Sequence, residues 1–124
     1  MITFSKRSRN AQSLHDMMVE IRANNLRSDG YDVSADIPGF PQPPTIKGYI
    51  PDIYAVKGYS KIITEAETCD TIGSQHTKEQ YKAFSSVLGA EFHVVVPKSC
   101  LSDAKRYAEL WGIKVNEWWY QEGY

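Results

Sequence analysis

The sequence predicts an α/β domain: one mixed sheet of about five strands with helices packed on it. Three observations predict it. Apolar residues recur at helical spacing in three segments, they alternate or run unbroken in five others, and glycine and proline punctuate the chain between them. The order reads helix, three strands, helix, strand, helix, strand. Antiparallel hairpins therefore come first and a strand–helix–strand crossover follows, which implies a mixed sheet.

Residues 10–29 form the first predicted helix, with Leu14, Met17, Met18, Ile21 and Leu26 on one face. Gly30 fits a left-handed stop. Tyr31, Val33 and Ala35 then alternate with Asp32, Ser34 and Asp36, as in a half-exposed strand. Residues 37–49 carry Pro38, Gly39, Pro41, Pro43, Pro44 and Gly48 and read as a loop. Residues 50–56 are a short apolar strand, Lys57-Gly58-Tyr59-Ser60 a turn of hairpin length, and 61–68 the returning strand. A helix starts near Thr77, where Thr77 and Gln80 make a capping-box pattern. Tyr81, Phe84, Val87 and Leu88 mark its buried stripe and Gly89 its end. Residues 91–96 form a strand whose unbroken Val94-Val95-Val96 suggests burial on both faces. Ser99 or Ser102 caps a third helix with Leu101, Ala104, Tyr107, Ala108 and Trp111 inward, and residues 113–120 form the last strand.

The length of 124 residues suits a single domain over 1–124, and 42% hydrophobic with 23% charged residues is ordinary globular composition. No apolar run reaches the ~20 residues of a membrane span, and the N-terminus lacks a signal-peptide stretch, so a cytoplasmic protein is expected. Two distant cysteines, Cys69 and Cys100, are then expected to remain unpaired. Histidines and cysteines lack the spacing of a zinc site. A net charge of −1 argues against bulk attraction to nucleic acid. The basic residues are nevertheless uneven: Lys6, Arg7, Arg9, Arg22 and Arg27 crowd the first quarter of the chain. They read equally as a solvated helix face or as backbone contacts to DNA.

The residues that carry chemistry are acidic. Glu65 and Glu67, two apart on a strand, point to one side. Burying such a pair unpaired is costly, and a hard divalent cation relieves it. Asp52 lies on the preceding strand across the hairpin, close enough to join them. Against this stands the reading of Glu65 and Glu67 as merely wet residues on an exposed sheet face.

Pro51-Asp52, then Glu65-Ala66-Glu67 after a hairpin, resembles the PD-(D/E)XK nuclease signature. The order of elements over about residues 10–97 is similar to the restriction-endonuclease-like core of that superfamily. The resemblance implies metal-dependent hydrolysis of DNA, with Mg2+ or Mn2+ held by Asp52 and Glu65. The family's lysine position holds Glu67 here, an E-x-E form found in some restriction endonucleases of the superfamily. Lys61 and Lys78 are candidates for a displaced lysine, and Glu67 for a general base or further ligand. Glu20 is placed like the first-helix glutamate that joins the metal site in Holliday junction resolvases. Gln80 followed by Phe84 is similar to the Q-x-x-x-Y helix motif of the RecB group. Each also has a bland reading: Glu20 as a solvated helical residue, Gln80 as part of a cap.

His76, a lone loop histidine, reads as a bystander. Trp118-Trp119-Tyr120 reads first as a core or homodimer contact and second as a base-stacking platform. The expected function is thus a magnesium-dependent deoxyribonuclease. The alternative is a nuclease fold without catalysis that binds nucleic acid or serves assembly, for which Glu67 at the lysine position is the motive.

Overall fold

The computed structural model describes residues 8–124. Lys6 and Arg7, two of the expected DNA contacts, lie outside the described residues. The chain runs α1 (Arg9–Ser28), β1 (Asp32–Ala35), β2 (Ile53–Lys57), β3 (Ser60–Ala66), α2 (Gln75–Ser85), β4 (Glu91–Pro97), a 3-10 turn (Lys98–Cys100), α3 (Leu101–Leu110) and β5 (Glu117–Gln121). One mixed five-stranded sheet has the spatial order β1-β2-β3-β4-β5. β1–β2 and β2–β3 are antiparallel, and β3–β4 and β4–β5 are parallel.

Helices cover both faces of the sheet. Met18, Val19, Ala23 and Leu26 of α1 pack with Val33, Ile53, Ala55, Ile62, Ala66 and Val95 on one face. On the other, Tyr81 and Phe84 of α2 and Ala104 of α3 pack with Ile63, Phe92, Val94 and Val96. The run Val94-Val95-Val96 is buried on both faces because β4 is an inner strand between two parallel neighbours.

Local chemistry sets the boundaries. Ser8 Oγ accepts the Ala11 N–H and starts α1. Its end is a Schellman turn: Tyr31 N–H donates to Leu26 O and Gly30 N–H to Arg27 O, with Gly30 at φ 93°. The β2–β3 hairpin turns on Gly58-Tyr59, where Gly58 supplies φ 60°.

Four expectations need correction. The cap of α2 is Ser74, whose Oγ accepts the Thr77 N–H, so the helix starts two residues before Thr77 and the Thr77–Gln80 capping box does not form. Because α2 already ends at Ser85, Leu88 lies beyond it and is 96% exposed, not part of its buried stripe. Cys69 and Cys100 form a disulfide, Cα–Cα 5.7 Å, instead of standing apart. Folding brings the loop after β3 against the start of α3, a proximity that 31 residues of separation conceal. The last strand is also shorter than read, beginning at Glu117.

No helix among the described residues is long and apolar enough to cross a membrane.

Candidate functional site

β2 and β3 are antiparallel, so the start of β2 and the end of β3 meet at one end of the sheet. Ile53 pairs with Thr64, which puts Asp52 beside Glu65. The two interlock through the backbone. Asp52 N–H donates to Glu65 Oε2 at 2.8 Å, and Ala66 N–H donates to Asp52 Oδ2 at 2.8 Å. Each carboxylate thereby extends the ladder one step past the strand.

Helices from both faces close on this end. His15 of α1 is buried, with Nε2 3.2 Å from Asp52 Oδ2 and Nδ1 3.0 Å from Asp16 Oδ1. Thr77 of α2 and Thr71 of the β3–α2 loop hold Glu67. Thr71 Oγ1 lies 2.6 Å and Thr77 Oγ1 3.2 Å from Glu67 Oε1. Thr77 Oγ1 is also 2.7 Å from Thr71 O. A cleft of about 280 Å³ opens here, lined by Asp52, Glu65, Glu67, His15, Thr71 and Gln80 among others.

The electrostatics disfavour a charged Glu65. Glu65 is 2% exposed and Glu67 3%. Burial first, then the charges of Asp52 and Glu67, push the Glu65 carboxyl well above the usual carboxylate range. The side-chain contact with Asp52 acts the same way, while the Asp52 N–H acts against it. A proton held at Glu65 relieves the crowding, and a cation does so equally. Carboxylate oxygens suit magnesium or manganese, with Asp52 and Glu65 the nearest pair to hold one.

The expected single coordination sphere of three carboxylates is not formed. Among the described residues no three His, Cys, Asp or Glu side chains stand in a metal-holding group. Glu67 follows the end of β3, and its carboxylate turns to the two threonines.

The other candidates fall as follows. Gln80 lines the cleft, freed from the capping role. Lys78, two residues earlier on α2, is not among the lining residues. Lys61 pairs with Val56 near the hairpin turn, at the opposite end of β3 from Glu65. Among the described residues, no lysine or arginine lines the cleft. Glu20 is exposed and borders a separate cleft with Ser13, Met17 and Ile37, because it points away from the α1 face that carries His15. The first-helix residues that line the cleft are Gln12, His15 and Asp16, none of them expected from the sequence. His76, read as a bystander, does line the cleft.

Among the described residues, Arg9, Arg22 and Arg27 do not gather into one patch. Arg22 is buried, its guanidinium 3.6 Å over the Trp119 ring, and burial lowers its pKa. Arg27 lies 4.2 Å over Phe40. Arg9 and Arg27 are at opposite ends of α1, separated along its axis by roughly 27 Å at 1.5 Å per residue. Trp118 packs into the core beside α3, and Trp119 and Tyr120 lie on the edge strand β5.

Comparison with protein-family models, with curated proteins and with solved structures finds no match to this chain.

Proposed function

We propose that this chain is a restriction-endonuclease-like, divalent-metal-dependent nuclease that hydrolyses phosphodiester bonds in DNA. The observation that carries the reading is the pairing of Asp52 with a buried Glu65 whose carboxyl favours its proton, both lining a cleft that Glu67 also lines. The pair does satisfy two backbone N–H groups, Asp52 N–H and Ala66 N–H, but neutral acceptors would do so without bringing like charges together in a buried place.

Asp52 and Glu65 would hold the ion. A magnesium or manganese ion bound there supplies Lewis-acid polarisation of a phosphate. The chain supplies the rest. His15 braces Asp52 from α1. Gln80 offers amide donors to a phosphate oxygen from the first half of α2. Glu67, kept in place by Thr71 and Thr77, would accept a proton from the attacking water. The cleft is acidic, so DNA can approach it only with the ion present. Binding at this site is therefore metal-dependent.

A second reading is favoured by the lack of lysine or arginine among the described lining residues: a nuclease fold that binds metal and nucleic acid, or takes part in an assembly, without cleaving. Incubation of the purified chain with single-stranded, duplex and branched DNA separates the two. The nuclease reading predicts cleavage with magnesium or manganese and none with a chelator. Metal-dependent binding with no cleavage of any form supports the second reading, and cleavage that survives the chelator refutes the metal site.

A further inference from the structure

We propose that Cys69–Cys100 is a site of reversible thiol–disulfide exchange with an external dithiol, and that its state sets how firmly Glu67 is held in the acidic cleft. The effect on activity rests on the nuclease reading. The effect on the Thr71 loop does not.

The bridge joins two segments that meet nowhere else through a covalent bond. Cys69 stands two residues after Glu67 and two before Thr71, in the loop that leads from β3 to α2. Cys100 ends the 3-10 turn ahead of α3. Between the bridge and Ser74, the cap of α2, the loop presents Thr71 to Glu67. The same loop is tied by local bonds, Thr71 N–H to Thr68 O and Ser74 N–H to Thr71 O in the backbone, and Thr71 Oγ1 to Thr68 O, Thr68 Oγ1 to Asp70 Oδ1 and Thr77 Oγ1 to Thr71 O through side chains, while the bridge is its covalent tie to the start of α3. It is also seated on α3: a Cβ on Gly73 would lie 2.5 Å from Tyr107 Cζ. Opening the bridge leaves that seat and the Ile72 core contact in place. The loop loosens while the fold persists.

Access is asymmetric. Cys69 is exposed and Cys100 is 6% exposed. Cys69 lines a cleft of about 680 Å³ with Ile72, Ser74 and Tyr107, and a second of about 420 Å³ with Pro97 and Tyr124. An incoming thiolate therefore attacks Cys69 Sγ. The Cys69–Cys100 bond breaks, Cys100 leaves as the thiolate and takes a proton, and a mixed disulfide forms at Cys69. The second sulfur of the dithiol attacks that mixed disulfide and releases Cys69 as a thiol. Two electrons and two protons pass to the protein, and the dithiol departs as a disulfide. Each product thiol has a polar neighbour: Ser99 Oγ is 3.6 Å from Cys69 Sγ, and Pro97 O is 3.7 Å from Cys100 Sγ. The reduced pair is thus accommodated, which favours a reversible step.

The test uses the full chain and dithiothreitol as the dithiol, below any concentration that unfolds it. Alkylation and mass measurement count the thiols, and amide hydrogen exchange reports on residues 67–77. The expected result is no free thiol before and two after, with exchange at Thr71 and Ser74 at least tenfold faster and the inner strands unchanged. Cys69→Ser exchanges like the reduced wild type under both conditions. If oxidised wild type cleaves DNA, its reduction, Cys69→Ser and Thr71→Val all lower the rate at least tenfold, Thr71→Ser retains it, and reoxidation restores only the wild type. A bridge that resists dithiothreitol until global unfolding overturns the proposal, as does exchange that is unchanged on reduction. Cleavage that is equal in the two redox states also overturns it. Absence of cleavage by oxidised wild type counts against the nuclease reading alone, and the exchange measurement still decides this one.

Discussion

At Glu65, burial and the neighbouring carboxylates act together against the charged form. Its carboxyl favours the proton in the fold, through burial and the neighbouring charges of Asp52 and Glu67. The unfolded chain releases that proton in the ordinary carboxylate range. The fold therefore binds more protons than the unfolded chain over the interval above that range, and stability falls as pH rises through it. In a chelator, urea unfolding of wild type should show this loss, and Glu65→Gln should lack its share of it. The amide keeps an acceptor for the Asp52 N–H and a donor for the Asp52 carboxylate. A difference between the two proteins that does not change with pH contradicts the assignment. Asp52→Asn should fold, with stability in chelator within about 1 kcal/mol of wild type, since the amide oxygen still accepts the Ala66 N–H. It should lose cleavage by ~100-fold or more, the scale of removing a group that stabilises transition-state charge. Asp52 and Glu65 were legible as neighbours because a tight hairpin fixes their relation locally, whereas Glu67 lies beyond β3 and the two threonines, not strand alternation, set its carboxylate. His15 was not legible: it is polar at the end of the apolar stripe that holds Met18 and Val19, but only the packing of α1 on the sheet brings it to Asp52. Thr71 was invisible for a related reason, because the path of the loop decides what it touches.

At the scale of elements, α2 carries the consequence. Its cap is Ser74, so Thr77 and Gln80 face the cleft instead of closing a capping box. Ser74→Ala should cost about 1 kcal/mol, the usual worth of a serine N-cap, measured by chemical unfolding. Ser99→Ala and Ser102→Ala should cost less than about 0.5 kcal/mol, because α3 begins without a side-chain cap. Reversal of that order would show that the α2 boundary is misplaced. Gly73→Ala should destabilise by about 1–3 kcal/mol, since its methyl meets the Tyr107 ring and overpacking displaces one of the two. Periodicity made the helices and the inner strands legible. It could not choose between Ser74 and Thr77 as the cap, and it extended α2 to Leu88, because an apolar residue at the right spacing carries no record of whether the helix has already stopped.

At the scale of the whole molecule, the sheet places the acidic end of a hairpin between helices from opposite faces. α1 brings His15 from one side, and α2 brings Thr77 and Gln80 from the other. The element order and the five strands follow from pattern, because hairpins and crossovers are set by turn length and connection rules. The disulfide does not, since the approach of Cys69 to Cys100 depends on how α3 packs beside the β3–α2 loop. A bound ion should raise the melting temperature of wild type and leave Asp52→Asn nearly unchanged, because only a ligand that prefers the fold shifts the equilibrium. The most direct test of the central claim is anomalous diffraction at the manganese edge from crystals of the full chain grown with manganese. The account predicts one strong peak in the cleft within bonding distance of carboxylate oxygens of both Asp52 and Glu65. A map with no peak there, or with manganese only at sites remote from these two residues, would contradict it.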